Sequence, residues 1–189
     1  MTKYGIIGYP LGHSFSKGFF TEKFARESID AQYLNFEIPD VAMLPDVLRN
    51  NPELRGLNVT LPHKQAVIPL LDEMSEEAKE IGAVNVIRVR NGKLKGFNSD
   101  IIGFTNSIKP LLMPHHRKAL ILGTGGASKA IRVGLNRLGV EWTYVSRSPR
   151  EGMITYKDIT AETLQEYTVI VNCSPVGMFP NVAQAPEIP

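Results

Sequence analysis

The segment KALILGTGGASKAI, residues 118–131, constrains the fold more than any other stretch of this chain. An apolar run of buried-strand type, Ala119 to Leu122, passes straight into glycines and then into a helical pattern. Gly123, Gly125 and Ser128 take the three positions of G-x-G-x-x-G, with serine in place of the last glycine and Gly126 and Ala127 between. At such a junction the first glycine permits a tight turn. The second lets backbone approach a pyrophosphate, and the small third residue allows close packing while the helix N-terminus faces the anion. Glycines between a strand and a helix can also do no more than shape the turn. Here the runs EWTYVS (141–146) and TVIVNC (168–173), with a helical stretch near Ile159 to Glu166, complete a βαβαβ half of a doubly wound α/β sheet. That context favours a dinucleotide site.

The end of the next strand tells which dinucleotide. A site for NAD places an Asp or Glu there to accept from the ribose 2′-hydroxyl, whereas this chain has Ser146, Arg147 and Ser148, with Arg150 close behind. A guanidinium can bind a 2′-phosphate and stack on adenine, so Arg147 selects NADP. The alternative reading of SRSPR is a solvated basic turn.

The first half alternates in the same manner. Strand-like runs at 4–9, 33–38, 56–60 and 84–90 are separated by helical patterns at Lys17 to Arg26, Val41 to Arg49 and Ser75 to Ile81. Asn91-Gly92 inside VIRVRNGKLKGF predicts a hairpin. A helix over Ile101 to Leu112 then breaks at MPHHRK, which sets a boundary near 113 and gives domains 1–113 and 114–189. Twenty-one basic and 19 acidic residues, scattered along 189, leave a net charge of +2 and no footprint for nucleic acid or an anionic membrane. Cys173 is the only cysteine, so an internal disulfide and a Cys-rich zinc site are excluded. The N-terminal stretch is not of secretory type, and no apolar run is long enough to span a bilayer. A cytoplasmic protein, monomer or homodimer, is expected.

Candidate polar residues cluster in the first half. Ser14 and Ser16 precede Phe19, Phe20 and Phe24 at helical spacing, so their hydroxyls gather at a helix start that suits a carboxylate, although one serine can serve as a simple cap. His13 reads as a local hydrogen-bonding residue, and four scattered histidines offer no metal site. Lys64 in NVTLPHK, taken alone, reads as a surface lysine after a proline.

Six blocks in order, GYPLGHSFSK, GLNVTLPHK, IGAVNVI, GFNSD, GTGGAS and NCSPVGM, resemble the shikimate/quinate dehydrogenase family across nearly the whole chain. The resemblance implies an N-terminal substrate domain, a Rossmann-like NADP domain and an active site in the cleft between them. It also implies NADPH-dependent reduction of 3-dehydroshikimate to shikimate in aromatic amino acid biosynthesis. Ser14 and Ser16 match the family's serines for the substrate carboxylate. Thr60, Asn85 and Asp100 match polar positions around the ring hydroxyls, and Lys64 matches the catalytic lysine. In this reading the Lys64 ammonium stabilises and protonates the developing alkoxide, and Asp100 holds the lysine and the reacting hydroxyl. NCSPVGM matches the loop beside the nicotinamide, which brings Met178 to the ring and leaves Cys173 as strand interior.

Two departures stand out. Ser99 replaces the threonine common in GFNSD, a change that keeps the hydroxyl. Family members also continue for tens of residues past PNVAQAPEIP, so the Rossmann-like domain reads as lacking its C-terminal part. A relative acting on quinate or using NAD, and a noncatalytic NADP-binding regulator, are the alternatives.

Overall fold

The structure is a computed structural model that describes residues 1–12 and 14–189; His13 lies outside the described residues. Two compact units divide it, Met1–Ser99 and Asp100–Pro189.

The first unit is built on a six-stranded mixed sheet. Its strands are β1 (Thr2–Gly8), β2 (Ala31–Glu37), β3 (Leu54–Val59), β4 (Glu73–Met74), β5 (Val86–Arg90) and β6 (Lys93–Phe97), in the order β2-β1-β3-β5-β6-β4. Strands β1, β2 and β3 are parallel, while β5 runs antiparallel to β3 and β6. Side chains alternate across β1 in the way its pleat requires. Ile6 faces a cluster with Leu11, Tyr33, Phe20 and Phe24 of helix α1 (Phe15–Arg26), and Ile7 faces the larger core of Leu44, Leu57, Val59, Val67, Val84 and Ile87. Helices therefore cover both faces, which explains why the strands read as nearly continuous apolar runs.

Local signals account for the ends of these elements. Lys23 and Arg26 sit in the last turn of α1, where they complement the helix dipole. Helix α2 (Leu44–Arg49) starts with proline in its first turn, and α3 (His63–Ala66) is a single turn after Pro62. In α4 (Glu76–Ile81) the Ser75 Oγ accepts from Ala78 N at 3.2 Å, and Gly82 closes the helix in the left-handed region at φ 68°. Asn91 and Gly92, at φ 52° and 74°, form the predicted hairpin turn of the I′ kind.

The second unit holds a four-stranded parallel sheet of β7 (Lys118–Leu122), β8 (Glu141–Ser146), β9 (Met153–Thr155) and β10 (Val169–Asn172), in the order β10-β7-β8-β9. That is the doubly wound arrangement, with the change of winding direction between β7 and β10. Ala119 and Ile121 pack towards α5 (Asp100–Ile108) and α6 (Gly126–Arg137), and Leu120 and Leu122 towards the side of α7 (Ala161–Glu166). The division of the chain falls ahead of the boundary near 113 read from the sequence. The reason is packing: Phe104 and Leu112 join the core of the second unit, and a side chain on Gly134 of α6 would come within 2.7 Å of the Phe104 ring. MPHHRK is thus a turn inside this unit. No helix is long and apolar enough to cross a membrane among the described residues.

Candidate functional site

Because β1, β2 and β3 are parallel, the loops after β1 and β3 leave the sheet at one edge. They are tied together there. Tyr9 N donates to Leu61 O at 3.0 Å and Thr60 N donates to Ile7 O at 3.0 Å. Any side chain on Gly8 would collide with the Thr60 methyl and approach Leu11 to 2.9 Å. Ser14 precedes α1 without capping it, and its Oγ is shielded from solvent with no hydrogen-bond partner among the described residues. A buried hydroxyl left without a partner costs about 1–3 kcal/mol, which a ligand atom at that point would offset. Ser16 is half-buried, and on the strands either side of β1 the Tyr33 hydroxyl donates to Asn58 Oδ1 at 2.6 Å.

The antiparallel pairing of β5 with β3 carries Asn85 to the same edge. Val59 N donates to Asn85 O at 2.8 Å, and Asn85 N donates to Phe97 O at 3.0 Å. The Asn85 side chain is 9% exposed; its Nδ2 donates to Ser99 Oγ at 3.0 Å and its Oδ1 accepts from Ser99 N at 2.9 Å. Lys64 rides on α3, whose turn is pinned by Val84 N donating to Lys64 O at 2.7 Å. Ser14, Ser16, Thr60, Lys64 and Asn85, far apart in sequence, therefore line one sheet edge. Asp100 opens α5 in the second unit and is half-buried. Among the described residues no cluster of three or more His, Cys, Asp or Glu is placed to hold a metal.

In the second unit Gly123 leaves β7 at φ 103°, a backbone state that disfavours any side chain. A Cβ there would also stand 3.1 Å from Ser174 N and 3.2 Å from the Cys173 carbonyl carbon, so this glycine lets β7 and β10 close together at the change of winding. Gly125 is the N-cap of α6, and a Cβ on it would meet nothing within 4 Å. No side chain caps this helix, so its first turn leaves backbone N–H groups without a side-chain partner, a fit for a pyrophosphate. Gly126 and Ala127 form the first turn, and the buried Ser128 donates from Oγ to Gly125 O at 2.8 Å.

Arg147 follows β8 and is exposed beside the buried Ser146. Met178 is 53% exposed, in a loop shaped by Asn172 Nδ2 donating to Val176 O at 3.0 Å. Cys173 N donates to Leu122 O at 2.8 Å, and burial pushes its thiol up to about 11, which suits a packing residue rather than a nucleophile. Reading the sequence passed over Tyr33 and Asn58. The available signal was a tyrosine on the inward phase of YLNFEI, since a buried phenol needs a polar partner.

A doubly wound unit with a glycine-rich turn at its change of winding, preceded by an α/β unit with a polar sheet edge, defines a dinucleotide-dependent oxidoreductase of two-unit type. Residues 6–87 match the family described as the shikimate dehydrogenase substrate binding domain. Shikimate dehydrogenase (NADP(+)) of Caldicellulosiruptor bescii is 33% identical over 98% of this chain and 70% of its own length. The Aquifex aeolicus protein of the same name is 36% identical over 93% of this chain and 68% of its own length. Among solved structures, shikimate dehydrogenase 1 from Peptoclostridium difficile superposes with a TM-score of 0.84 at 35% identity, covering 98% of this chain and 71% of that one. The Thermus thermophilus enzyme in complex with NADP(H) and shikimate gives 0.79 at 29% identity, covering 100% and 74%. The chain belongs to the shikimate dehydrogenase (NADP(+)) family.

Proposed function

We propose that this protein reduces 3-dehydroshikimate to shikimate with NADPH, reversibly, in aromatic amino acid biosynthesis. The observation that supports it most is the gathering of Ser14, Ser16, Thr60, Lys64 and Asn85 at one sheet edge of a chain belonging to this family. The Ser14 Oγ, buried without a partner, and the Ser16 hydroxyl receive the substrate carboxylate at the start of α1. Thr60 and Asn85 take ring hydroxyls; the Asn85 amide is oriented for this by its two bonds to Ser99.

Bound NADPH supplies the hydride. The uncapped N-terminus of α6, with Gly123, Gly125, Gly126, Ala127 and Ser128, would hold its pyrophosphate, and Arg147 would read the 2′-phosphate. The exposed Met178 would pack beside the nicotinamide. As hydride reaches the carbonyl carbon, negative charge grows on the carbonyl oxygen, and the Lys64 ammonium stabilises that charge and gives it a proton. The Asp100 carboxylate accepts from the reacting hydroxyl and keeps it oriented. The reaction takes place in the cytoplasm. Steady-state oxidation of shikimate and of quinate, each with NADP and with NAD, tests this reading. Shikimate with NADP should give the highest kcat/KM, and a preference for quinate or for NAD would overturn it.

A further inference from the structure

The loop that follows β10 is held in shape by two of its own side chains. Asn172 Oδ1 accepts from Ser174 N at 3.0 Å and from Ser174 Oγ at 2.7 Å, and Asn172 Nδ2 donates to Val176 O at 3.0 Å. Ser174 Oγ in turn accepts from Val176 N at 3.3 Å, and Met178 N donates to Pro175 O at 3.1 Å. A backbone N–H only donates and a carbonyl only accepts, so the Asn172 amide lies in one direction alone. Asn172 and Ser174 thus satisfy both backbone groups of Val176 and the N–H of Ser174, which a surface loop otherwise leaves to water.

Both ends of this frame are anchored. Cys173 N donates to Leu122 O at 2.8 Å, continuing the pairing of β10 with β7, and Ser174 N stands 3.1 Å from where a Cβ on Gly123 would be. The frame therefore rests on the glycine turn that would take the pyrophosphate. At its other end Gly177 adopts φ 87°, and a Cβ there would come within 3.0 Å of Gln184 O, in the turn that Gln184 N closes on Asn181 O at 3.1 Å. Met178 follows directly.

We infer that Asn172 and Ser174 are positioning residues for the reactive end of the cofactor: their four hydrogen bonds preform the loop that carries Met178 and fix it against the glycine turn. This rests on the proposed placing of the nicotinamide beside Met178. NADPH has several rotatable bonds between its pyrophosphate and its nicotinamide, so holding the pyrophosphate does not by itself aim the ring. A loop already in shape does, and a misplacement of about 1 Å can cost ~10² in rate. The adenosine end lies outside the frame, so the two halves of the cofactor should respond separately to its loss.

The test uses the whole protein with NADPH and with 2′-phospho-ADP-ribose, which has the pyrophosphate and the 2′-phosphate but no nicotinamide. Asn172→Ala and Ser174→Ala are expected to lower kcat for shikimate by about 10- to 100-fold, with a larger primary deuterium isotope effect and KM for shikimate nearly unchanged. Affinity for NADPH should fall by about 3- to 10-fold, while affinity for 2′-phospho-ADP-ribose stays at the parent value. Ser174→Thr, which keeps the hydroxyl, should restore most of the loss, and the double variant should be no worse than the worse single one because both changes break one network. Equal losses of affinity for the two ligands would overturn the inference, since the frame would then act on the pyrophosphate end. A lowered thermal midpoint with kcat and both affinities at parent values would also overturn it, leaving the frame a role in stability alone. If the parent itself does not oxidise shikimate with NADP, the proposed function fails, and the comparison of NADPH with 2′-phospho-ADP-ribose still decides the role of the frame.

Discussion

His63 Nε2 lies 2.7 Å from the carbonyl oxygen of Ile38, and the imidazole is 2% exposed. A carbonyl only accepts, so the proton sits on Nε2 and the ring donates. The bond ties α3 to the end of β2 from inside the core and leaves the next residue, Lys64, half-buried at the sheet edge. His63→Ala would strand the Ile38 carbonyl and is expected to cost about 1–3 kcal/mol. His63→Gln, which keeps a donor, should recover part of that loss. Urea unfolding of the three proteins measures it, and equal midpoints for all three would show that the bond contributes nothing.

Lys64 carries the proton in the proposed reaction, whereas its neighbour serves the fold. Lys64→Ala is expected to lower kcat by ~10² to 10⁴ and to change shikimate affinity much less, since general acid–base groups act mainly in the transition state. Thermal stability should stay close to that of the parent because the ammonium is outside the core. Turnover near the parent value would remove Lys64 from the mechanism.

Much of this was legible in the sequence, and the parts that were not share a cause. Strands β1, β2, β3, β7 and β10 and helix α6 are long or strongly apolar, and their periodicity stands on its own. Helix α3 is one turn of four residues, β4 has two residues and β9 three, too short for any period to register. The boundary near 113 followed a proline and paired histidines, yet Phe104 and Leu112 have partners in the second unit that only tertiary packing supplies. The site shows the same contrast. Gly123 and Gly125 announce themselves locally, while the Tyr33 to Asn58 bond joins residues on two strands that are not even adjacent in the sheet.

Arg147 should decide cofactor choice. It is exposed at the end of β8, where a dinucleotide fold reads the ribose, and no acid stands among the four residues that follow that strand. Arg147→Ala is expected to weaken NADP by about 1.5–3 kcal/mol, the worth of a charged hydrogen bond, and NAD by far less. Dissociation constants for both cofactors test this by titration. Equal losses would reduce Arg147 to an adenine-stacking or turn residue.

Tyr33 gives the fold a pH dependence at the alkaline end. Burial raises its phenol from 10.0 to about 12, so between those values the folded state keeps a proton that the unfolded chain releases. Stability then falls as pH rises, because the unfolded state binds fewer protons. The contribution is complete below pH 10 and is lost as pH climbs through about 12, by roughly 2–3 kcal/mol. Tyr33→Phe has nothing to ionise. Its unfolding free energy should decline less steeply over this window than that of the parent, while the difference between the two proteins stays constant from pH 7 to 9. Parallel curves up to pH 12 would mean that the phenol ionises at the same pH in the folded and the unfolded chain, so that burial does not hold its proton.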